Sequence, residues 1–338
     1  MDATDSPPPR PGEAFSAFAA GYDFVLDDYQ AEACAHVEAG SGVLVAAPTG
    51  AGKTVVGEFA VFLALAEGRK CFYTTPIKAL SNQKYHDLVA WHGEGNVGLL
   101  TGDTSVNGEA PIVVMTTEVL RNMIYARSAT LAGLGFVVMD EVHYLADRFR
   151  GAVWEEVILG LADSVQVIAL SATVSNAEEF GDWLAEVRGS MAIVLSERRP
   201  VPLFQHVMAG RRVYDLFADD SADVNPELTR LAREESRYVR DDSRRERGRR
   251  QRDRIDANRG KHSDRPSLIP RRDGAVEKLD AAGLLPAIYF IFSRAGCDQA
   301  VGQLIHSGLR LTTPAERAEL NEIAARHTAS LTDDDLDA

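Results

Sequence analysis

The sequence predicts an α/β protein built on a parallel β-sheet, and three observations carry that reading. From Val43 to about Leu195, short β-rich apolar runs alternate with amphipathic, helix-like stretches. The runs are apolar almost throughout, as strands are when helices cover both faces of a parallel sheet. Polar motifs follow the runs directly, at the carboxyl ends of strands, where open α/β sheets take their ligands.

Taken in order, the expected strands are VLVAA (43–47), CFYTT (71–75), VGLL (97–100), IVVM (112–115), FVVMD (136–140), VQVIAL (165–170) and AIVL (192–195). Their length and their β-branched and aromatic content favour strands over buried helix segments. Helix-like segments begin near Lys53, Lys78, Thr117, Ala152 and Asn176.

Outside this region the composition changes. The start, DATDSPPPRPGE, is polar and proline-rich, so residues 1–20 read as a flexible tail ahead of a domain at 21–197. A connector occupies 198–217, and 218–275 reads as a charged linker or insertion. Within that linker, Leu228, Leu231, Glu235 and Tyr238 fall at helical spacing, whereas the arginine cluster Arg244 to Arg254 reads as a solvated charge run. AIYFIFS (287–293) has the pattern of a buried strand, and RAGCDQAVGQLI that of an amphipathic helix. Thr313-Pro314-Ala315-Glu316 is a capping-box helix start. Residues 276–338 therefore read as the beginning of a second α/β domain, too small to bury a core by itself.

Bulk properties exclude some classes. The 338 residues suit two domains, or one domain plus extensions, and the net charge of −14 argues against a globally basic nucleic-acid coat but not against a local groove. Three cysteines with no CxxC pair argue against a zinc ribbon or iron–sulfur cluster and for a reducing cytoplasm. The apolar run Phe59 to Ala66 is too short to span a bilayer.

The chemistry concentrates in two stretches. Ala47-Pro48-Thr49-Gly50-Ala51-Gly52-Lys53-Thr54 follows a strand, opens a helix, and matches G-x-x-x-x-G-K-[ST] except for Ala47 at the first glycine. Gly50 and Gly52 let the backbone fold back so that its N–H groups surround phosphates. Lys53 is placed to reach the β- and γ-phosphates of ATP, and the Thr54 hydroxyl to bind Mg2+. FVVMDEVHYL supplies the partner: Asp140 is placed to hold Mg2+, partly through water, and Glu141 to polarise the attacking water. Lys53, Asp140 and Glu141 are thus the expected catalytic set.

These motifs, with Ser171-Ala172-Thr173 after them, resemble motifs I, II and III of the superfamily 2 DExH-box helicases, whose ATP site lies between two RecA-like domains. DEVHYLADRFRGAVWEEVI (140–158) and RRPVPL (198–203) resemble the superkiller-type RNA helicases, closest to actinobacterial HelY-type members. The resemblance runs from about Phe24 to Val207 and resumes at Ala287 to Leu304. It implies that Phe24 stacks on adenine and Gln30 reads its edge. It also implies that Asp140, Glu141, Val142 and His143 form the DEVH box, with His143 linking the nucleotide site to the cleft. It further implies that Ser171, Ala172 and Thr173 couple hydrolysis to strand movement. TTPIKALSNQKY (74–85), TGD (101–103) and TTEVLRNMIY (116–125) resemble the strand-contacting elements, which implicates Pro76, Lys78, Gly102, Asp103, Thr116, Thr117 and Glu118. Hydroxyls, backbone amides and helix N-termini there suit phosphate contacts along a single strand.

The chain contains no QxxGRxGR string, the element that carries the arginine finger in this family. The expectation is an amino-terminal fragment of a longer enzyme, monomeric, binding ATP·Mg2+ and single-stranded RNA but not unwinding alone, with RNA-degrading machinery as its partner. Two other readings stay open on sequence: a DNA helicase or translocase of the same superfamily, and a non-catalytic nucleotide-dependent binding module.

Overall fold

The computed structural model describes residues 12–148, 150–172, 177–218, 223–236 and 268–328. The chain divides into two compact units, residues 1–203 and 204–338.

The first unit opens with helices α1 (Glu13–Ala19) and α2 (Asp28–Glu38) and then alternates strands and helices. They are β1 (Gly42–Ala46), α3 (Thr54–Ala66), β2 (Lys70–Thr75), α4 (Lys78–His92), β3 (Val97–Leu100), β4 (Ser105–Val106), β5 (Ile112–Thr116) and α5 (Thr117–Tyr125). There follow β6 (Leu134–Met139), α6 (Gly151–Gly160), β7 (Gln166–Ser171), α7 (Ala177–Arg188) and β8 (Met191–Leu195). The eight strands form one sheet in the order β4-β3-β5-β2-β6-β7-β1-β8, with only the β3–β4 pair antiparallel. The α/β class and the parallel sheet covered on both faces are as the sequence predicts.

Both faces of the strands are buried. Val43, Tyr73, Val114, Val138 and Ile168 pack on one side with residues of α1 to α4. Their immediate neighbours Leu44, Phe72, Val113, Val137 and Val167 pack on the other with residues of α5 to α7. This period-two split of wholly apolar strands is what a doubly covered parallel sheet requires.

The expectation of a flexible tail through residue 20 is corrected. The N-terminal tail gives way at Glu13 to helix α1, whose Ala14 and Phe18 are buried; Phe18 sits 5.2 Å from the ring of Phe59 in α3. The proline-rich residues up to 11 lie outside the described set, as do most of the charged linker with its arginine run and the last ten residues.

The second unit contains an unpredicted hairpin of β9 (His206–Ala209) and β10 (Arg212–Asp215), turning at Gly210 with φ of 61°. Residues 226–236 are helical, at the spacing read from Leu228 and Leu231. Helices Arg272–Ala281, Arg294–Ser307 and Pro314–Thr328 follow. The last is capped as expected, with Glu316 Oε2 accepting from Thr313 N at 2.7 Å. The strand expected at 287–293 is not formed: Ile288, Phe290 and Phe292 are 82%, 79% and 105% exposed. An extended apolar segment becomes a buried strand only beside pairing partners, and among the described residues none pairs with it.

Candidate nucleotide and nucleic-acid site

All the parallel strands end on one edge of the sheet, and the motif residues gather there. The phosphate loop runs from Ala47 after β1 to Thr54 at the start of α3. Gly50 and Gly52 take φ of 84° and 86°, the left-handed region that side chains resist. At Gly52 an added Cβ would also sit 2.7 Å from Gln30 Nε2. The ammonium of Lys53 is curled back, donating to the carbonyls of Ala47 at 2.8 Å and Pro48 at 3.2 Å. Burial holds its pKa below the usual lysine value, opposed by the charges of Glu141 and Asp140.

Asp140 and Glu141 follow β6, next to β7 in the sheet. The Asp140 carboxylate accepts from the Tyr73 hydroxyl at 3.0 Å and from the Glu141 N–H at 2.9 Å. Burial pushes its pKa up, while the Tyr73 hydrogen bond and the Lys84 charge push it down. Glu141 sits at φ of 56°, a backbone conformation sustained at cost and concentrated at functional sites. Burial, then the Asp140 charge, holds its carboxyl above the ordinary range.

Glu141 Oε2 is buried and has no hydrogen-bond partner among the described residues, although His143 Nδ1 lies 3.2 Å away. That same nitrogen receives the Ala172 N–H at a long 3.5 Å. The imidazole thus faces the box on one side and the end of β7 on the other. Ser171 joins the loop through its backbone, its carbonyl accepting from Ala47 N at 3.1 Å. Val142 is buried under the box, and Thr173 lies outside the described residues.

Gln30 is drawn into the loop rather than left open. Its Nε2 donates to the Gly52 carbonyl at 2.9 Å, and its Oε1 accepts from Asp27 N at 2.8 Å as half of a capping box. Phe24 is 56% exposed and meets the ring of Tyr22 edge-on at 5.1 Å, so it is not the core aromatic that its type alone favours.

The residues that the sequence implicates in strand contact line the ends of β2, β5 and β3, three neighbours in the sheet. Lys78 reaches across to Asp103, Nζ to Oδ2, at 2.6 Å, bringing two separately read motifs together. The Thr101 hydroxyl also donates to Asp103, at 3.1 Å. Gly102 has open space where a side chain would be, and Thr116 stands at the N-terminal boundary of α5 without a side-chain cap, with Glu118 in its first turn. Thr117 is buried with its hydroxyl turned inward to the Thr75 carbonyl at 3.4 Å. The Pro76 carbonyl accepts from Arg150 Nη1 at 3.2 Å.

Sequence reasoning missed three groups that shape this site: Tyr29, whose hydroxyl donates to the Ala51 carbonyl; Tyr73; and Arg150. The signal for Tyr73 was its place in an apolar strand, because a buried tyrosine hydroxyl needs a polar partner.

The family model for DEAD/DEAH box helicases matches residues 27–180, the span that carries the phosphate loop, the DEVH box and the end of β7. Residues 27–180 of this chain are a DEAD/DEAH box helicase domain. It is 57% identical over 329 residues to a protein named probable helicase HelY from Mycobacterium tuberculosis (strain H37Rv), covering 94% of this chain and 35% of that protein. The chloroplastic DExH-box ATP-dependent RNA helicase DExH15 of Arabidopsis thaliana is 40% identical across 88% of this chain and 27% of its own length. Exosome RNA helicase MTR4 of Homo sapiens is 35% identical across 97% of this chain and 30% of its own length. This chain therefore spans 27–35% of the length of these relatives. Among its described residues no helix is long and apolar enough to cross a membrane.

Proposed function

We propose that this chain is the ATP-binding portion of an ATP-dependent RNA helicase that couples hydrolysis to movement on a single strand. The observation that carries the reading is the meeting of Lys53, Asp140 and Glu141 on one sheet edge, each electrostatically coupled to the other two. The donor set fits ATP·Mg2+: a glycine cradle, a lysine held at its mouth, and a buried carboxylate oxygen, Glu141 Oε2, lacking a hydrogen bond among the described residues.

In this reading the amides of residues 47–54 and the Lys53 ammonium hold the phosphates, while Phe24 and Gln30 face adenine. Thr54 and Asp140 hold Mg2+, which supplies charge neutralisation at the phosphates when bound. Glu141 orients water, and His143, with Ser171, Ala172 and Thr173, relays the state of the site. Pro76, Lys78, Gly102, Asp103, Thr116, Thr117 and Glu118 form the strand face, with Thr117 contributing its backbone N–H because its hydroxyl is engaged.

RNA is favoured over DNA because the relatives named above include two that are called RNA helicases. The word exosome in one of those names supports RNA-degrading machinery as the partner. Free thiols at Cys34, Cys71 and Cys297 support a reducing, cytoplasmic setting. The test is binding of matched single-stranded RNA and DNA by this chain, with and without a non-hydrolysable ATP analogue and Mg2+. Nucleotide-dependent binding that favours RNA is expected. Tighter nucleotide-dependent binding of DNA would reverse the substrate assignment, and no nucleotide dependence would remove the helicase reading.

A further inference from the structure

The carboxylate of Asp140 is oriented from inside the sheet. Tyr73 in β2 is fully buried, and its hydroxyl donates to Asp140 Oδ2 at 3.0 Å. The other oxygen, Oδ1, accepts from Glu141 N at 2.9 Å. With one donor on each oxygen the carboxylate plane is fixed, and each oxygen keeps a lone pair for a further partner.

The Tyr73 ring is itself gripped by two helices. At Gly57 of α3 an added Cβ would sit 3.0 Å from Tyr73 Cε2, so the helix approaches the ring as closely as a residue without a side chain allows. On α4, Lys84 Nζ stands 5.5 Å from the ring centroid, within cation–π range. That ammonium is anchored by Glu58 of α3 at 3.3 Å and by Asp87 at 3.7 Å. Glu58 also accepts from the Tyr22 hydroxyl at 2.9 Å. The cluster ties together the helix that begins at the phosphate loop, the helix that begins at Lys78, and the strand that runs on into Thr75 and Pro76.

We propose that Tyr73 is a positioning residue that sets the Asp140 carboxylate for Mg2+, and that the Glu58–Lys84 pair clamps the Tyr73 ring in place. The inference rests on the reading of Thr54 and Asp140 as the Mg2+ site. Outer partners that orient a metal-binding carboxylate are worth about 10- to 100-fold in metal affinity. Tyr73→Phe deletes the hydroxyl and keeps the ring, and Lys84→Met deletes the charge and keeps an apolar cover.

The experiment titrates Mg2+ at fixed non-hydrolysable ATP analogue and reads nucleotide binding by fluorescence on the full chain, with melting curves to establish folding. Binding measured in chelator supplies the metal-free reference. Tyr73→Phe should keep metal-free binding and need about 10- to 100-fold more Mg2+. In an Asp140→Asn background the same change should have no further effect, because Tyr73 acts through that carboxylate. Lys84→Met should shift the Mg2+ requirement in the same direction by a smaller factor, and it carries the test if Tyr73→Phe does not fold. An unchanged Mg2+ requirement in both variants overturns the proposal while leaving the nucleotide site intact. An equal loss in the Asp140→Asn background overturns it too. Wild-type binding that ignores Mg2+ removes the metal reading, and the proposal with it.

Discussion

Lys78 and Asp103 meet at 2.6 Å across 25 residues of sequence, joining the start of α4 to the loop after β3. Both side chains are exposed, so the pair adds little to stability; its interest lies in what it does to the strand face. The hydrogen bonds from Lys78 and Thr101 hold the Asp103 carboxyl below its ordinary range, so it stays charged and occupies the lysine. Lys78→Ala should lower the slope of log affinity against log salt by about 0.7, one phosphate contact on a single strand. Asp103→Asn should release Lys78 and tighten low-salt binding. A weaker complex would show instead that the carboxylate itself touches the strand.

Glu141→Gln separates catalysis from binding and also reports on the electrostatics of the site. If Glu141 orients water as proposed, its loss should cut turnover about 10²- to 10⁴-fold while analogue binding is retained. In the nucleotide-free chain the same change should stabilise the fold. Burial and the Asp140 charge raise the Glu141 pKa, so the native state binds more protons than the unfolded state across that window. Stability therefore falls as pH rises from the ordinary carboxylate value of about 4 through the raised one. Above the raised value the full penalty is present, and its removal should lift the melting temperature. The advantage should fade as pH falls below about 4, where the carboxyl becomes protonated in both states. A constant difference at all pH values would rule out this origin.

Gly57 sets helix preference against packing. A glycine inside a helix costs about 1 kcal/mol relative to alanine, so on an open face Gly57→Ala would stabilise. Here the new Cβ would meet Tyr73 Cε2 and Val138 Cγ1 at 3.0 Å and Leu170 Cδ1 at 3.4 Å. All three neighbours are fully buried and cannot swing aside. Overpacking costs about 1–3 kcal/mol, so a lower melting temperature is expected, by about 2–4 °C per kcal/mol. A higher one would show that α3 slides outward freely.

The sheet was legible because wholly apolar runs punctuated by polar turns have few other folded solutions, and the nucleotide motifs were legible because glycine, lysine and acid positions are set by local backbone. Helix α1 was not legible: seven residues carry too little periodicity, and burial of Phe18 against Phe59 is what fixes it. The hairpin turning at Gly210 left a signal, a glycine between two short mixed runs, that a charged neighbourhood obscures. The Lys78–Asp103 and Tyr73–Asp140 contacts were out of reach, because residues 25 and 67 positions apart meet only once strand order is known.

The run AIYFIFS tests the same boundary between local pattern and tertiary context. Its apolar side chains would each contribute heavily if buried between sheet and helices, yet Ile288, Phe290 and Phe292 stand almost wholly in solvent. Replacing all three with serine in this chain should therefore leave the melting curve nearly unchanged, within about 0.5 kcal/mol per surface site. The same change should lower binding of a dye that reports exposed apolar surface and slow aggregation, because contiguous exposed apolar patches promote association. If the triple variant instead melts several degrees lower, the segment is buried in solution, and the strand read from its sequence is formed after all.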